Sequence, residues 1–138
     1  MLLKQLSVFV ENQPGRLSAI INRLAENHVN LSALSLADTS GFGVLRLIAD
    51  KPEIAQEALR GEGVISKSTD VLAVAIDDTP GSLTCVLDLL SENGISVEYM
   101  YAFSAKQENK ALRVFKVDEL QKAEELLRAK GFSAPQIG

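Results

Sequence analysis

The chain has no tryptophan, one cysteine and one histidine. Aromatic residues make up 5% of it, so a core has to come mainly from Leu, Val, Ile and Ala. The lone Cys85 excludes an internal disulfide and any Cys-x-x-Cys metal site, and it fits a reducing cytosol. It reads as a small residue on a helix. His28 has no second histidine or nearby cysteine in the sequence to work with, and reads as an exposed residue at a helix end. No Gly-x-Ser-x-Gly elbow and no phosphate-binding glycine loop is present. The chain is therefore expected to be non-enzymatic, with no metal and no cofactor.

An excess of positive charge is missing too. The net charge is −4 and no basic run exists, which removes the electrostatic footprint for nucleic acid or an anionic membrane. The one lysine-dense stretch, Lys116 to Lys130, is interleaved with Asp118, Glu119, Glu124 and Glu125, as on a solvated helix face. No apolar run is long enough to span a bilayer. Met1-Leu2-Leu3-Lys4-Gln5 does not open like a signal peptide. A cytoplasmic protein is expected.

What is present is periodicity. Leu6, Val8 and Val10 alternate with Gln5 and Ser7, which predicts a strand with one buried face; Phe9 is the exception. Leu17, Ile20, Ile21, Leu24, Ala25 and His28 then fall at helical spacing. Pro14 suits the first helical turn, where a missing N–H costs nothing. A second strand is expected over 29–36, with Leu31 and Leu34 apolar among serines. Residues 38–43 are turn chemistry, and 44–49 form a third strand. Asp50-Lys51-Pro52-Glu53 looks like a capping box with Asp50 as N-cap. Ile54, Ala55, Ala58 and Leu59 give the next helix a narrow stripe, and Val64-Ile65 suggests a short fourth strand.

The second half repeats this order. The apolar run 71–76 reads as a strand, and Leu83, Val86, Leu87 and Leu90 mark a helix. Strands follow over 97–103 and 112–117. Asp118-Glu119-Leu120-Gln121 is a second candidate capping box, and Ala123, Leu126 and Leu127 line the last helix. Pro14/Pro80, Gly15/Gly81, Leu17/Leu83, Leu24/Leu90 and Asn27/Asn93 are each 66 residues apart. Asp50 and Asp118 are 68 apart, the slip lying in the longer hairpin loop 104–110.

A β-α-β-β-α-β unit with right-handed crossovers has one natural solution, the ferredoxin-like fold: four antiparallel strands with both helices on one face. The expected class is α+β, with one unit over 1–68 and another over 69–138. Units this small have marginal cores, which predicts that the two pair, as one larger sheet or otherwise. The tail 132–138 is a poor strand, and Pro135 confines it to an edge.

The repeated junctions are the candidate site. Glu11-Asn12-Gln13-Pro14-Gly15-Arg16-Leu17 and Asp77-Asp78-Thr79-Pro80-Gly81-Ser82-Leu83 each close a strand and open a helix. A helix N-terminus offers unpaired N–H groups and partial positive charge to a carboxylate. Gly15 and Gly81 let a ligand come close to the backbone. Asn12 or Asp78 can accept from an ammonium. Asp77 and Asp78 together repel a carboxylate, so the first loop is expected to favour a zwitterion. The competing reading is a tight strand-to-helix turn, with Thr79 as an ordinary N-cap.

The order strand, acidic or amide residue, x-Pro-Gly-x-Leu, amphipathic helix, then Asn-x-x-Asn-Leu or Asn-Gly-Ile-Ser-Val resembles the ACT domain, twice over and across nearly the whole chain. The resemblance implies a regulatory module that binds an amino acid where paired domains meet, at the two loops and the second strand of the neighbouring copy. That strand is residues 30–36, with Asn30, Leu31 and Ser32, or 96–101, with Ser96, Val97, Glu98, Tyr99 and Tyr101. Tyr99, Met100, Tyr101 and Phe103 either pack the sheet or cover a ligand side chain. The alternative is a ligand-free interaction subunit of an amino-acid biosynthetic enzyme. A metabolic enzyme or regulator as target, and a homodimer, stay open. Other uses of the fold fit badly: the stacking aromatics of an RNA-binding sheet, the basic loop of an acylphosphatase and the Cys-x-x-Cys of a metallochaperone are all missing.

Overall fold

The fold is described here from a computed structural model, over residues 1–136. The elements in order are β1 (Leu2–Glu11), α1 (Arg16–Glu26), β2 (Leu31–Thr39), β3 (Phe42–Ala49), α2 (Pro52–Gly61), β4 (Ser66–Asp77), α3 (Ser82–Glu92), β5 (Val97–Ala102), β6 (Lys110–Val117) and α4 (Leu120–Ala129). Two compact units result: Lys4–Thr69, and Met1–Leu3 together with the chain from Asp70 on.

In the N-terminal unit the strands lie in the order β2-β3-β1-β4, with Ser66–Thr69 supplying the β4 part. Leu6 pairs with Leu47 and Glu11 with Phe42, antiparallel. The even residues of β1, namely Leu6, Val8 and Val10, join Leu45 and Leu47 of β3 on one face. Ile20 and Leu24 of α1 and Ala55 and Leu59 of α2 pack onto that face. The helical stripes read from the sequence are thus the buried ones, with Ile54 and Ala25 left exposed. Truncating a fully enclosed leucine such as Leu24 to alanine costs about 2–5 kcal/mol.

The C-terminal unit repeats this design. Its order is β1-β4-β6-β5, the first slot being filled by the start of the chain. Ala73 N–H donates to the Met1 carbonyl at 2.7 Å, and Ala75 N–H to the Ser133 carbonyl at 2.9 Å. The predicted edge pairing of the tail is therefore a single bridge at Ser133; residues 137 and 138 lie outside the described residues. Leu72, Val74, Ile76, Phe115 and Val117 form the sheet side of the core, against Val86 and Leu90 of α3 and Ala123 and Leu127 of α4.

All four helices stop the same way. Val29, Val64, Ile95 and Phe132 each donate a backbone N–H to a leucine carbonyl five residues earlier: Leu24, Leu59, Leu90 and Leu127, at 2.9–3.0 Å. This is the Schellman motif, which needs a left-handed residue just before the donor. Glycine fills that place three times; in α1 it is His28, at φ 58. His28 is exposed, as expected of a helix-end residue.

Several local expectations are corrected. Asp50 and Asp118 cap no helix: the N-caps are Lys51 and Glu119, without side-chain bonds. Asp50 Oδ1 instead accepts from Asn30 N–H, and Asp118 Oδ1 from Ser96 N–H, both at 2.9 Å. The orphan amides entering β2 and β5 win the carboxylates because the chain passes directly opposite them, Asp50 N–H returning a bond to Asn30 O. Turn chemistry over 38–43 shrinks to Ser40-Gly41, because Thr39 already pairs with Phe42. Val64-Ile65 is not a strand; β4 starts at Ser66 and runs unbroken to Asp77. Its polar start, Ser66-Lys67-Ser68-Thr69-Asp70, carries no apolar period, yet sheet pairing holds it extended. In β2 a register shift between Leu31 and Ala33 buries Ala33 and leaves Leu34 exposed. Gln5 is also buried, its side-chain amide 3.4 Å from Ser7 Oγ, so β1 is covered on both faces near its start.

Candidate functional site

Both Pro-Gly junctions are type II β-turns. Gly15 has φ 86 and ψ −10, and Gly81 has φ 88 and ψ −11. Arg16 N–H donates to Gln13 O at 3.3 Å, and Ser82 N–H to Thr79 O at 3.2 Å. Proline presets the second turn position and glycine supplies the positive φ of the third. Pro14 and Pro80 therefore lie ahead of the helix and not in its first turn, and Gly15 and Gly81 are the N-caps. Thr79 caps nothing; its Oγ1 is 2.7 Å from Ser82 Oγ.

A glycine N-cap has no side chain to satisfy the first-turn amides, and among the described residues no side-chain cap bond is made at either helix. A Cβ built on Gly15 or Gly81 meets nothing within 4 Å. The positive φ alone demands glycine, and the space before each turn is open.

The loops differ in their surroundings. In the first, Arg16 lies 3.6 Å from Glu11, both well exposed. Asn12 reaches toward β3: a Cβ on Gly43 would sit 3.7 Å from Asn12 Oδ1 and 3.0 Å from Leu36 Cδ1. Gln13 is exposed, and Leu17 is partly buried against the core. In the second, Lys110 Nζ is 2.7 Å from Asp77 Oδ1, and Asp78 N–H donates to Asn109 O at 3.1 Å. The expected double negative charge is thus half neutralised by Lys110, which lies 33 positions further along the sequence. Leu83 packs on the core beneath this loop.

The second-strand candidates sit elsewhere in each unit. Asn30 N–H and Ser96 N–H are held by Asp50 and Asp118. Leu31 pairs with Ala49 at one end of β3, while Glu11 pairs with Phe42 at the other. That puts the start of β2, with Ser32, about 23 Å along the strand from the loop of its own unit. In β5, Val97 pairs with Val117 and Glu98 ties Lys116 at 2.9 Å. Tyr99 and Tyr101 face Lys116 and Val114, both half-buried, whereas Met100 packs into the core. Within one unit, then, the named strand candidates do not converge with the loop, although the far end of the strand 30–36, at Leu36, comes near Asn12.

Sequence reading missed what does lie beside the first loop. A groove of about 350 Å³ opens between the end of β1, the start of α1 and the turn after α2. Glu11 and Arg16 are on its wall, with Phe9, Ile20 and Ile65. The one signal for it was Phe9, out of step with its strand; it stands 64% exposed. Among the described residues no helix is long and apolar enough to cross a membrane, and no cluster of metal-ligating side chains occurs.

The chain matches the family model described as an ACT domain pair over residues 1–134. It is similar to the protein BT0572 from Bacteroides thetaiotaomicron, at 37% identity and a TM-score of 0.91, over 98% of this chain and 92% of that one. It also superposes on the aspartate kinase regulatory subunits of Thermus thermophilus (17% identity, TM-score 0.67, 92% and 89% covered) and Thermus flavus (20%, 0.64, 94% and 92%). No curated protein matches it. With its two ferredoxin-like units, its doubled Pro-Gly turn and a family match over nearly its whole length, the chain belongs to the ACT domain pair family.

Proposed function

We propose that this protein is a non-catalytic regulatory module that binds a small amino acid at its strand–helix loops. The observation that carries the reading is the twice-built type II turn, each opening a helix whose first amides have no side-chain cap bond among the described residues. Uncapped amides and the helix dipole suit a carboxylate. Family membership over residues 1–134 supports the same reading. So does the likeness of fold to regulatory subunits of aspartate kinase, which points to a partner enzyme as the controlled target. The first loop is the stronger candidate. Asn12 offers a neutral acceptor there and Arg16 a cation, whereas Asp78 adds negative charge to the second.

A thermal-shift screen against the twenty amino acids tests this. A ligand that binds only the folded state adds about 2.7 kcal/mol at a hundredfold excess over Kd. At least one amino acid is expected to raise the melting temperature, with Asn12→Ala reducing the shift more than Asp78→Ala. A flat response to all twenty defeats the amino-acid reading and leaves a ligand-free interaction subunit.

A further inference from the structure

The two units place different chemistry at one matched position. In the C-terminal unit Ser133 closes on Ala75 through the 2.9 Å bond from Ala75 N–H. Counting back by the repeat offsets, Phe9 stands where Ala75 stands, and Ile65 where Ser133 stands. No bridge joins Phe9 to Ile65. The strand and the segment after α2 diverge there, and the groove beside the first loop is the gap between them. Ile65 stands on its rim in solvent at 85% exposure; Phe9, 64% exposed, borders the groove through the strand, its side chain standing with Phe42 on the sheet face opposite the helices. Phe9 is held in place by Phe42, edge to face at 5.4 Å. Exposed apolar groups that flank a concavity mark a binding surface more often than isolated ones do.

The charges narrow the occupant. Arg16 and Glu11 share one wall, 3.6 Å apart, and Glu62 lines the groove as well. An exposed pair at that distance holds its partners weakly. Opposite charges side by side at the mouth of an apolar slot complement a zwitterion, whose carboxylate takes Arg16 and whose ammonium takes Glu11. Behind them Ala19, Ile20 and Val64 offer only apolar surface. A volume of about 350 Å³ is at the small end of ligand pockets, which run from about 300 Å³.

We infer that this groove, inside the N-terminal unit alone, binds one amino acid with an apolar side chain. The inference rests on the amino-acid-binding reading and sharpens it: the site lies behind the first loop, at a gap that the Ala75–Ser133 bridge closes in the C-terminal unit, and selects by side-chain polarity. Binding exchanges the loose Arg16–Glu11 pair for two pairs to the ligand and covers Ile65.

The test is calorimetry on the full chain with L-leucine, L-isoleucine, L-valine, L-methionine and L-phenylalanine, against L-aspartate and L-lysine. At least one apolar amino acid is expected to bind at one per chain, with the two charged ones at least tenfold weaker. Ala19 is an exposed position on α1, so Ala19→Phe fills the groove without entering the core and is expected to abolish binding. Cys85→Phe, its exposed match on α3, is expected to leave binding unchanged. Arg16→Gln is expected to weaken it at least tenfold at an unchanged melting temperature. If an amino acid binds but survives Ala19→Phe and is lost in Asn12→Ala, the groove is overturned and the loop site stands. If the preferred ligand is charged, or two bind per chain, the groove is likewise overturned. If no amino acid binds, both readings fall.

Discussion

His28 is the one place where the repeat departs from its own helix-ending rule, and replacing it gives a controlled measurement. Four helix ends share one hydrogen-bond pattern, with glycine at Gly63, Gly94 and Gly131 and histidine at φ 58 in the first. A left-handed backbone costs a residue with a Cβ about 1–2 kcal/mol. His28→Gly removes that strain and gains chain entropy in the unfolded state, a loss of about 0.4–1 kcal/mol. The net is a stabilisation of about 0.5–1 kcal/mol. The imidazole is exposed, and the bond Lys51 makes here is to the His28 carbonyl at 3.2 Å, which glycine keeps.

The reverse change is equally clean. A Cβ on Gly94 meets nothing within 4 Å, so Gly94→Ala adds only backbone strain at φ 70. It should destabilise by a similar amount. Equilibrium urea unfolding reads both changes: with a slope of about 2 kcal/mol per molar, the midpoints move by about 0.3–0.5 M in opposite directions. The two positions lie in different compact units, so fluorescence and far-UV dichroism should be followed together to check that one transition is being measured. A lower midpoint for His28→Gly, or a higher one for Gly94→Ala, refutes the strain argument. It would mean that the imidazole makes a stabilising contact, or that the helix ends are not equivalent.

Two other perturbations test the corrected local structure. Asp50→Ala and Asp118→Ala each remove a 2.9 Å acceptor from a strand-entry amide and should cost about 1 kcal/mol, the modest end for a charged acceptor at an exposed site; the amides of Asn30 and Ser96 should lose exchange protection while those of α2 and α4 keep theirs, and loss confined to the helices would restore the capping box. The 2.7 Å Asp77–Lys110 pair is partly exposed, so a double-mutant cycle should give a coupling below about 1 kcal/mol that fades in molar salt; a coupling indifferent to salt would contradict this.

What the sequence disclosed was whatever occurs twice in it. Two x-Pro-Gly-x-Leu junctions and two sets of helical leucines sufficed for the ferredoxin-like order, because apolar period and turn chemistry are local and act alike in both copies. What stayed hidden depends on which distant groups meet. Asp50 satisfies every sequence criterion of an N-cap, yet the amide of Asn30, 20 positions away, takes its carboxylate. Ser66 to Asp70 shows no strand period because its extended form comes from neighbouring strands and not from its own side chains. The groove is further from view, because it joins a strand end, a helix start and a turn some fifty residues later. Duplication nonetheless gives a way to find such a site once the fold is known. Positions 14 and 15 match 80 and 81 in residue and in backbone, so they report what the fold requires. Positions 9 and 65 carry Phe and Ile against Ala75 and Ser133, and in the first unit both side chains stand in solvent. The fold runs equally well with the small pair; Phe9 has Phe42 to stack on, so Ile65 is the side chain without a structural task, and the groove it borders is the place to look.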